Sequence, residues 1–502
     1  MIAEHAILLV VALPLLGAPL CVLLGRGGLA WGAATAIAWC SFGLALHLLG
    51  VVLDDGVQRY MLGGWEAPVG IEYRLDVAGA FVMTVVTAIA SVVLPYSWTS
   101  IRREIDPHRH HWFYACLLLC FAGLLGITVT GDAFNLFVFL EISSLSTYVL
   151  VSMGRDRRAL TAAFRYLLLG TVGATFYLIG IGFMYLMTGT LNMEDLAVRL
   201  TEIGPDGITP LHETTTIRAA LAILSVGVSI KMALFPLHVW LPNVYAYAPS
   251  VVSAFLSATA TKVAILVMLR VFYTVDGKAT PFEALPLAST LAPLAIGGAV
   301  IASFVAVYQR DIKRLLAYSS IAQVGYMVVG IGLATQTGLA AGLLHLFNHA
   351  LMKGALFLAI GCIVYRVGQT RMELLRGAGR QMPLTSAAIV IGGLSLIGVP
   401  LTAGFVSKWA LLGAVIDDGR WLTAGFILLS SLISVIYVAQ VIHVLLIRKR
   451  PVDAEPVSEA PLWMVVPTLV LAAANLWFGI YSSGASEAAQ AAAAALIEGV
   501  AR

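Results

Sequence analysis

Lys231-Met232-Ala233-Leu234-Phe235-Pro236-Leu237-His238-Val239-Trp240-Leu241-Pro242 closes an apolar run that begins near Ala219. A lysine followed by two prolines fits neither a soluble core helix nor a simple spanning one. Proline removes a backbone donor and clashes with the preceding turn. Broken backbone at membrane depth is tolerated only where it faces protein or water. The stretch therefore reads as a helix broken at Pro236, with a cation beside the break, inside a polytopic membrane protein.

Composition agrees. The chain has 502 residues, of which 60% are hydrophobic and only 11% charged, and its mean hydropathy is +0.92. Soluble domains carry about 25% charged residues. The net charge of +3 is too small to point to nucleic acid. The five cysteines, Cys21, Cys40, Cys116, Cys120 and Cys362, fall in apolar runs without ligand spacing and read as small core residues. No haem, iron–sulfur or metal-ligand pattern is present, so neither a cofactor nor a metal is expected.

On either side of this stretch, runs of roughly 20 apolar residues mark spans. About fourteen are expected, with cores at 6–25, 30–52, 76–98, 113–130, 132–153, 162–188, 217–247, 250–274, 286–308, 316–334, 337–366, 385–416, 421–447 and 460–482. The first, Ala6–Leu24, lacks a basic n-region and reads as a retained span. Leu191–Glu202 reads as a short surface helix and Ala488–Ile497 as a terminal one. One set of loops is basic: Arg102/Arg103/Arg109, Arg155/Arg157/Arg158, Arg310/Lys313/Arg314, Arg371/Arg376/Arg380 and Arg448/Lys449/Arg450. The alternate set is acidic or neutral, including Asp54/Asp55, Glu194 to Glu213, Asp276 to Glu283 and Asp417/Asp418. The positive-inside rule then puts both termini outside, as an even number of spans requires.

Span twelve repeats the broken pattern around Pro400, in Gly398-Val399-Pro400, with Lys408 following. The two breaks are five spans apart, so their units are inverted, as in many transporters. The expected fold is all-α: about 14 transmembrane helices, two inverted five-helix repeats with broken helices 7 and 12, and both termini outside. Residues 1–112 hold helices 1–3, 113–275 the first repeat, 285–447 the second, and 448–502 helix 14 and the tail. Span eleven carries polar residues in its middle and is a third candidate for a break.

Ionisable residues inside spans are costly, roughly 2.5–3.5 kcal/mol on insertion scales, and mark ion paths by default. Glu141 lies about 14 Å along its helix from Asp132, at mid-membrane. Lys231 is its natural partner, and a pair that opens and closes gates a proton; a permanently closed pair is only structural. Lys262, among Thr259 and Thr261, is too central to snorkel. His345, His349 and Lys353 share one face at i, i+4, i+8, and histidines titrate near neutrality. Two histidines at that spacing also suit zinc, but no third ligand stands nearby. Lys408, with Ser407 and Thr402 beside it, is the last buried charge; its structural alternative is a tie for the broken helix. His238 either bridges freed backbone or joins the relay. His443 is either a helix cap or a cytoplasmic proton port.

These residues together resemble the antiporter-like membrane subunits shared by NADH:quinone oxidoreductase (complex I), membrane-bound hydrogenases and Mrp-type cation/proton antiporters. The matching stretches are Gly131–Ser143, Lys231–Pro242, Ala248–Lys262, Asp311–Tyr326, His345–Phe357 and Gly398–Lys408. Within that family the chain is most similar to the D-type subunit of Mrp antiporters, in Gly131–Glu141 and in Lys408 rather than a glutamate. Tyr245 stands where complex I relatives often have histidine. The resemblance implies Glu141 and Lys231 as the input pair, Lys262 with His345 and His349 as the central relay, and Lys408 as the distal carrier.

The function expected is therefore a proton-translocating subunit of a multisubunit Na+/proton antiporter, a transporter subunit rather than an enzyme by itself. The alternatives are the same pump module in a redox-driven complex and a non-conducting scaffold. Partners would be other membrane subunits, in a bacterial or archaeal cytoplasmic membrane. No sodium site is legible.

Overall fold

The computed structural model describes residues 5–204, 207–275, 287–452 and 454–498. The loop expected over Asp276 to Glu283 lies outside the described residues. Two apolar helices, α1 (Ala6–Leu24) and α2 (Gly27–Asp55), lead into a small antiparallel hairpin, β1 (Gln58–Met61) and β2 (Glu72–Leu75). Then come α3 (Val77–Glu104), α4 (His110–Val129), α5 (Ala133–Ser152), α6 (Arg157–Thr188) and the short α7 (Met193–Arg199). The first broken span is α8 (Thr215–Met232) and α9 (Leu241–Tyr247), followed by α10 (Ser250–Ala258) and α11 (Ala260–Leu269). Next are α12 (Leu287–Val307), α13 (Ile312–Gly332) and α14 (Gln336–Val367). The second broken span, α15 (Pro383–Ile397) and α16 (Ala403–Asp417), precedes α17 (Trp421–Ile442), α18 (Leu462–Ile480) and α19 (Ser483–Glu498).

Among the described residues 13 helical segments are long and apolar enough to cross a membrane, or up to 14 if a bent pair at Met372–Ile397 counts as one. The protein is a multi-pass membrane protein. Burial separates the spans by role. The apolar windows of Ser250–Tyr273 and Ile312–Gly332 are 94% buried, against 28% for α2. The spans richest in polar side chains are thus the ones withdrawn from lipid, where protein partners satisfy those groups.

Both predicted breaks are present. The α8 helix stops at Ala233, left-handed at φ 58, and Leu234 N–H returns to Ser229 C=O at 3.0 Å. The indole of Trp240 donates to Ile230 C=O at 2.9 Å, a carbonyl that also accepts from Ala233 N–H at 3.2 Å. In the second broken span Gly398 takes φ 91, and Pro400 stands in the turn between α15 and α16. Gly404 is required by close approach: a Cβ there would lie 1.8 Å from Ser395 C=O.

Other expectations are corrected. Span eleven is one unbroken 32-residue helix, because its polar side chains bond sideways to α13 and α16 and leave the backbone ladder intact. Span eight, read as one uninterrupted span over 250–274, is broken at Thr259 (φ −126, ψ −59). The terminal helix is longer than its sequence pattern suggests, and the surface helix shorter. Cys40 is exposed rather than in the core, because α2 buries only one face. The hairpin is also absent from the sequence reading; β2 alternates polar and apolar residues, but β1, Gln58-Arg59-Tyr60-Met61, does not, and the turn between them is rich in Gly and Pro.

The hairpin is tied down at the end of the bundle that carries the acidic loops. Asn192 Nδ2 donates to Glu72 Oε1 at 2.7 Å, and Arg59 pairs with Glu194 at 2.6 Å. Asp76 caps α3 through Gly79 N–H at 2.8 Å and accepts both guanidinium branches of Arg270, which ends span eight. Burial would raise the Asp76 carboxyl, but the Arg270 charge and hydrogen bond, with help from Arg74 and Gly79 N–H, hold it down at about 2.

Candidate functional site

Asp132 fixes the register of α5 by accepting from Asn135 N–H at 2.6 Å. Glu141 and Ser144 therefore project one turn apart on the same face. Lys231, in the last turn of α8, meets them: its Nζ is 3.2 Å from Glu141 Oε1 and donates to Ser144 Oγ at 2.7 Å. The lysine side chain is 8% exposed and the glutamate 22%, so the pair is buried from the α8 side and reachable from the α5 side. At this separation the attraction is about 5 kcal/mol at an effective dielectric near 20, before desolvation. A cavity of about 30 Å³ touches Lys231, Ser143, Ser144 and Thr147 on one wall and Val263 of α11 on the other. Its size and hydroxyl lining suit a water molecule, which needs roughly 10–15 Å³.

Lys262 owes its place to the break at Thr259. The Thr259 hydroxyl bonds back to Phe255 C=O at 2.7 Å, a local competition that bends helices. The interruption leaves Ser257 C=O free, and Lys262 Nζ donates to it. Lys262 is fully buried, which rules out snorkelling.

On α14, His345, His349 and Lys353 are all fully buried on one face. The two imidazoles lie 6.4 Å apart, centroid to centroid. His345 is held at both nitrogens, by Ser407 Oγ at 2.9 Å and Gln323 Oε1 at 2.8 Å. His349 is different: both ring nitrogens are buried with no protein partner, and its charged or titratable neighbours are Lys262, Lys353, His345 and Lys408. It stands where the central residues converge. Lys353 turns to α13 and donates to Leu316 C=O at 2.9 Å and Ser319 Oγ at 2.5 Å.

Lys408 reaches back across the second break. It donates to Leu396 C=O at 2.9 Å, Ile397 C=O at 3.0 Å and Ser431 Oγ at 3.2 Å, and stands 5.0 Å from the centre of the Tyr326 ring. The geometry thus includes the tie to the broken helix that the sequence left open. Ser407 faces His345 rather than Lys408, so it joins the central group to the segment carrying the distal lysine.

The accessory histidines stand apart. His238 stacks on Phe235 at 5.4 Å and leaves Nδ1 buried and unpaired. His443 lines a separate cavity at the basic end of the bundle. Among the described residues no group of three or more His, Cys, Asp or Glu side chains is set to hold a metal ion.

Sequence reasoning missed Ser144, Ser319, Gln323, Tyr326 and Ser431. Tyr326 links two predicted residues: its ring packs edge-on to His345 at 5.6 Å and under Lys408, while its hydroxyl donates to Ser430 at 2.7 Å. A signal was available. Ser319, Gln323 and Tyr326 form a polar stripe at helical spacing in an otherwise apolar span.

A family model described as NADH:quinone oxidoreductase/Mrp antiporter, TM, matches residues 130–434. The NADH-quinone oxidoreductase subunit N of Desulforudis audaxviator is 39% identical, covering 89% of both chains. The D subunit of the Na(+)/H(+) antiporter of Alkalihalophilus pseudofirmus is 32% identical over 78% of this chain and 76% of its own. A chain in the solved Mrp complex from Dietzia sp. DQ12-45-1b superposes with a TM-score of 0.89 at 24% identity, covering 99% of this chain and 98% of the other.

Proposed function

The chain belongs to the NADH:quinone oxidoreductase/Mrp antiporter family of transmembrane subunits, and on that premise we propose that it translocates protons within a multisubunit monovalent cation (Na+)/proton antiporter. The observation that carries this reading is the Lys231–Glu141 pair with Ser144 and a water-sized cavity, hydroxyl-lined on one side, beside it. Opening the pair removes an attraction that holds the proton on Lys231. The released proton passes across the cavity toward Lys262, then to His349 and His345, and onward past Ser407 to Lys408, beside which the Tyr326 ring packs. Lys353 sets the charge facing His349. The site binds no cofactor in this reading; its chemistry is proton transfer between side chains and water.

A second reading has a specific observation in its favour. The 39% identical relative is a subunit of an NADH-quinone oxidoreductase, so the same relay in a redox-driven complex of the cytoplasmic membrane is supported to a similar degree. A scaffold without conduction is the third. We also propose that residues 113–275 and 285–447 form the two inverted repeats, with both termini outside.

The test is proton uptake by proteoliposomes containing the purified assembly. A sodium gradient drives uptake in the first reading, and a quinone or other redox couple in the second. Lys231→Ala and Glu141→Gln should each abolish uptake with assembly intact. Full transport by both variants would leave only the scaffold.

A further inference from the structure

At the basic end of the bundle a cavity of about 300 Å³ opens among the end of α12, the turn at Met372–Leu375 and the end of α17. Arg310, Arg448, His443, Gln440 and Tyr308 line it, with Glu373 on its wall. What sets Arg310 and Arg448 apart is the cavity they share. Arg366 donates to Glu459 C=O, Arg380 to Leu446 C=O and Ile447 C=O, and Arg450 to Glu455 C=O, while Arg314 and Arg376, each with a buried unpaired Nε, do not line it. Among the described residues the side chains of Arg310 and Arg448 have no such partner, and Gln440 Oε1 is buried and unpaired. Two free guanidinium forks around one cavity are a phosphate-binding arrangement.

The walls continue into the bilayer. On α12, Ile301, Phe304 and Tyr308 are 47%, 55% and 69% exposed at helical spacing, forming one stripe that ends at the cavity. On α17, Leu429 and Ile436 are exposed on the face that goes on to Gln440 and His443. The two helices are fastened together by Ser303 and Ser430, 2.9 Å apart. An apolar flank on each helix thus runs into a shared basic cavity, as expected for a lipid site between spans at the basic membrane face.

We propose that this cavity holds the headgroup of a glycerophospholipid. Its phosphodiester lies between Arg310 and Arg448, and its acyl chains lie along Phe304, Tyr308 and Ile436. The Glu373 carboxylate disfavours a second negative charge, so the site suits a single phosphodiester rather than a polyphosphate. Tyr308, at the junction of flank and cavity, is placed as tyrosines are at membrane interfaces.

Native mass spectrometry of the delipidated, purified assembly tests this, with phosphatidylglycerol or inorganic phosphate added separately. The wild-type protein should retain phosphatidylglycerol about tenfold better than the Arg310→Ala/Arg448→Ala variant. Inorganic phosphate should neither bind nor displace the lipid. Equal lipid retention by both proteins would overturn the site. Phosphate bound in place of lipid would show a free-anion site and overturn the lipid assignment. Should the alanine variant fail to assemble, Arg310→Lys/Arg448→Lys keeps the charge and loses the forks; it too should bind more weakly, and undiminished binding by it overturns the proposal.

Discussion

His345 Nδ1 and Ser407 Oγ lie 2.9 Å apart, joining residues 62 positions distant in the chain. The contact fastens the unbroken α14 to the second turn of α16, one residue before Lys408. It sets the ring of His345, whose other nitrogen is taken by Gln323, and so decides which face that histidine offers to His349. A histidine bonded at both nitrogens is positioned; one bonded at neither, as His349 is, remains free to exchange a proton with what reaches it.

Ser407→Ala should therefore release His345 without emptying the site. The stability loss should be small, about 1 kcal/mol for one neutral hydrogen bond. Proton uptake should fall several-fold, and Ser407→Thr should restore much of it. Unchanged uptake in the alanine variant would mean that the proton does not pass by His345.

Ser144→Ala probes the opposite end. Its hydroxyl is closer to Lys231 Nζ than the Glu141 carboxylate is, so among the described residues removing it leaves Glu141 as the ammonium's one polar partner. The closed pair should be retained while the hydroxyl edge of the cavity is lost, giving slower uptake in a normally assembled protein. Uptake at the wild-type rate would place the exit from Lys231 elsewhere.

Tyr326 offers two separable roles. Tyr326→Phe keeps the ring under Lys408 and beside His345 but drops the bond to Ser430, whereas Tyr326→Leu drops both. If the ring matters, the phenylalanine variant keeps most transport and the leucine variant loses it. Equal loss in both would assign the role to the hydroxyl. Each should be compared by uptake per assembled complex, since removing a buried aromatic costs about 3 kcal/mol or more by itself.

The two proline breaks and the buried charges were legible because a charge or a proline inside an apolar run sharply narrows what that run can be. What the sequence hid were the partners. Ser144, Gln323 and Ser431 are ordinary hydroxyl and amide residues, and their importance depends on which helix faces which. The break at Thr259 was hidden for a different reason: no proline or glycine marks it, and a threonine side chain bonding to its own backbone has the same effect. Span eleven misled in the reverse sense, since its polar residues look like a break until α13 and α16 supply their partners. Lys408 was legible as a buried charge, but the carbonyls that hold it belong to the break itself.

Asp76 gives a pH test away from the relay. Its carboxyl is held at about 2 against an ordinary 3.8, so folding is favoured by its ionised form. That contribution is fully present above about pH 4 and is lost as pH falls toward 2, amounting to about 2 kcal/mol. Asp76→Asn should lower the melting temperature at neutral pH and remove part of the acid dependence below pH 4. A variant whose melting temperature falls with acid as steeply as the wild type would show that the Arg270 pair is not what the acid breaks.

Lys408 calls for a substitution that separates holding from carrying. Lys408→Met strands the carbonyls of Leu396 and Ile397 at the second break, and should destabilise the protein by about 2–4 kcal/mol while also stopping transport. That result fits either role. Lys408→Arg keeps donors for the two carbonyls but cannot give up its proton, because a guanidinium stays charged in proteins. A carrier at this position predicts an assembled, thermally stable arginine variant that takes up no protons. A lysine that only ties the broken helix predicts an arginine variant with transport close to wild type, and the relay would then end at His345 and Ser407 rather than at Lys408.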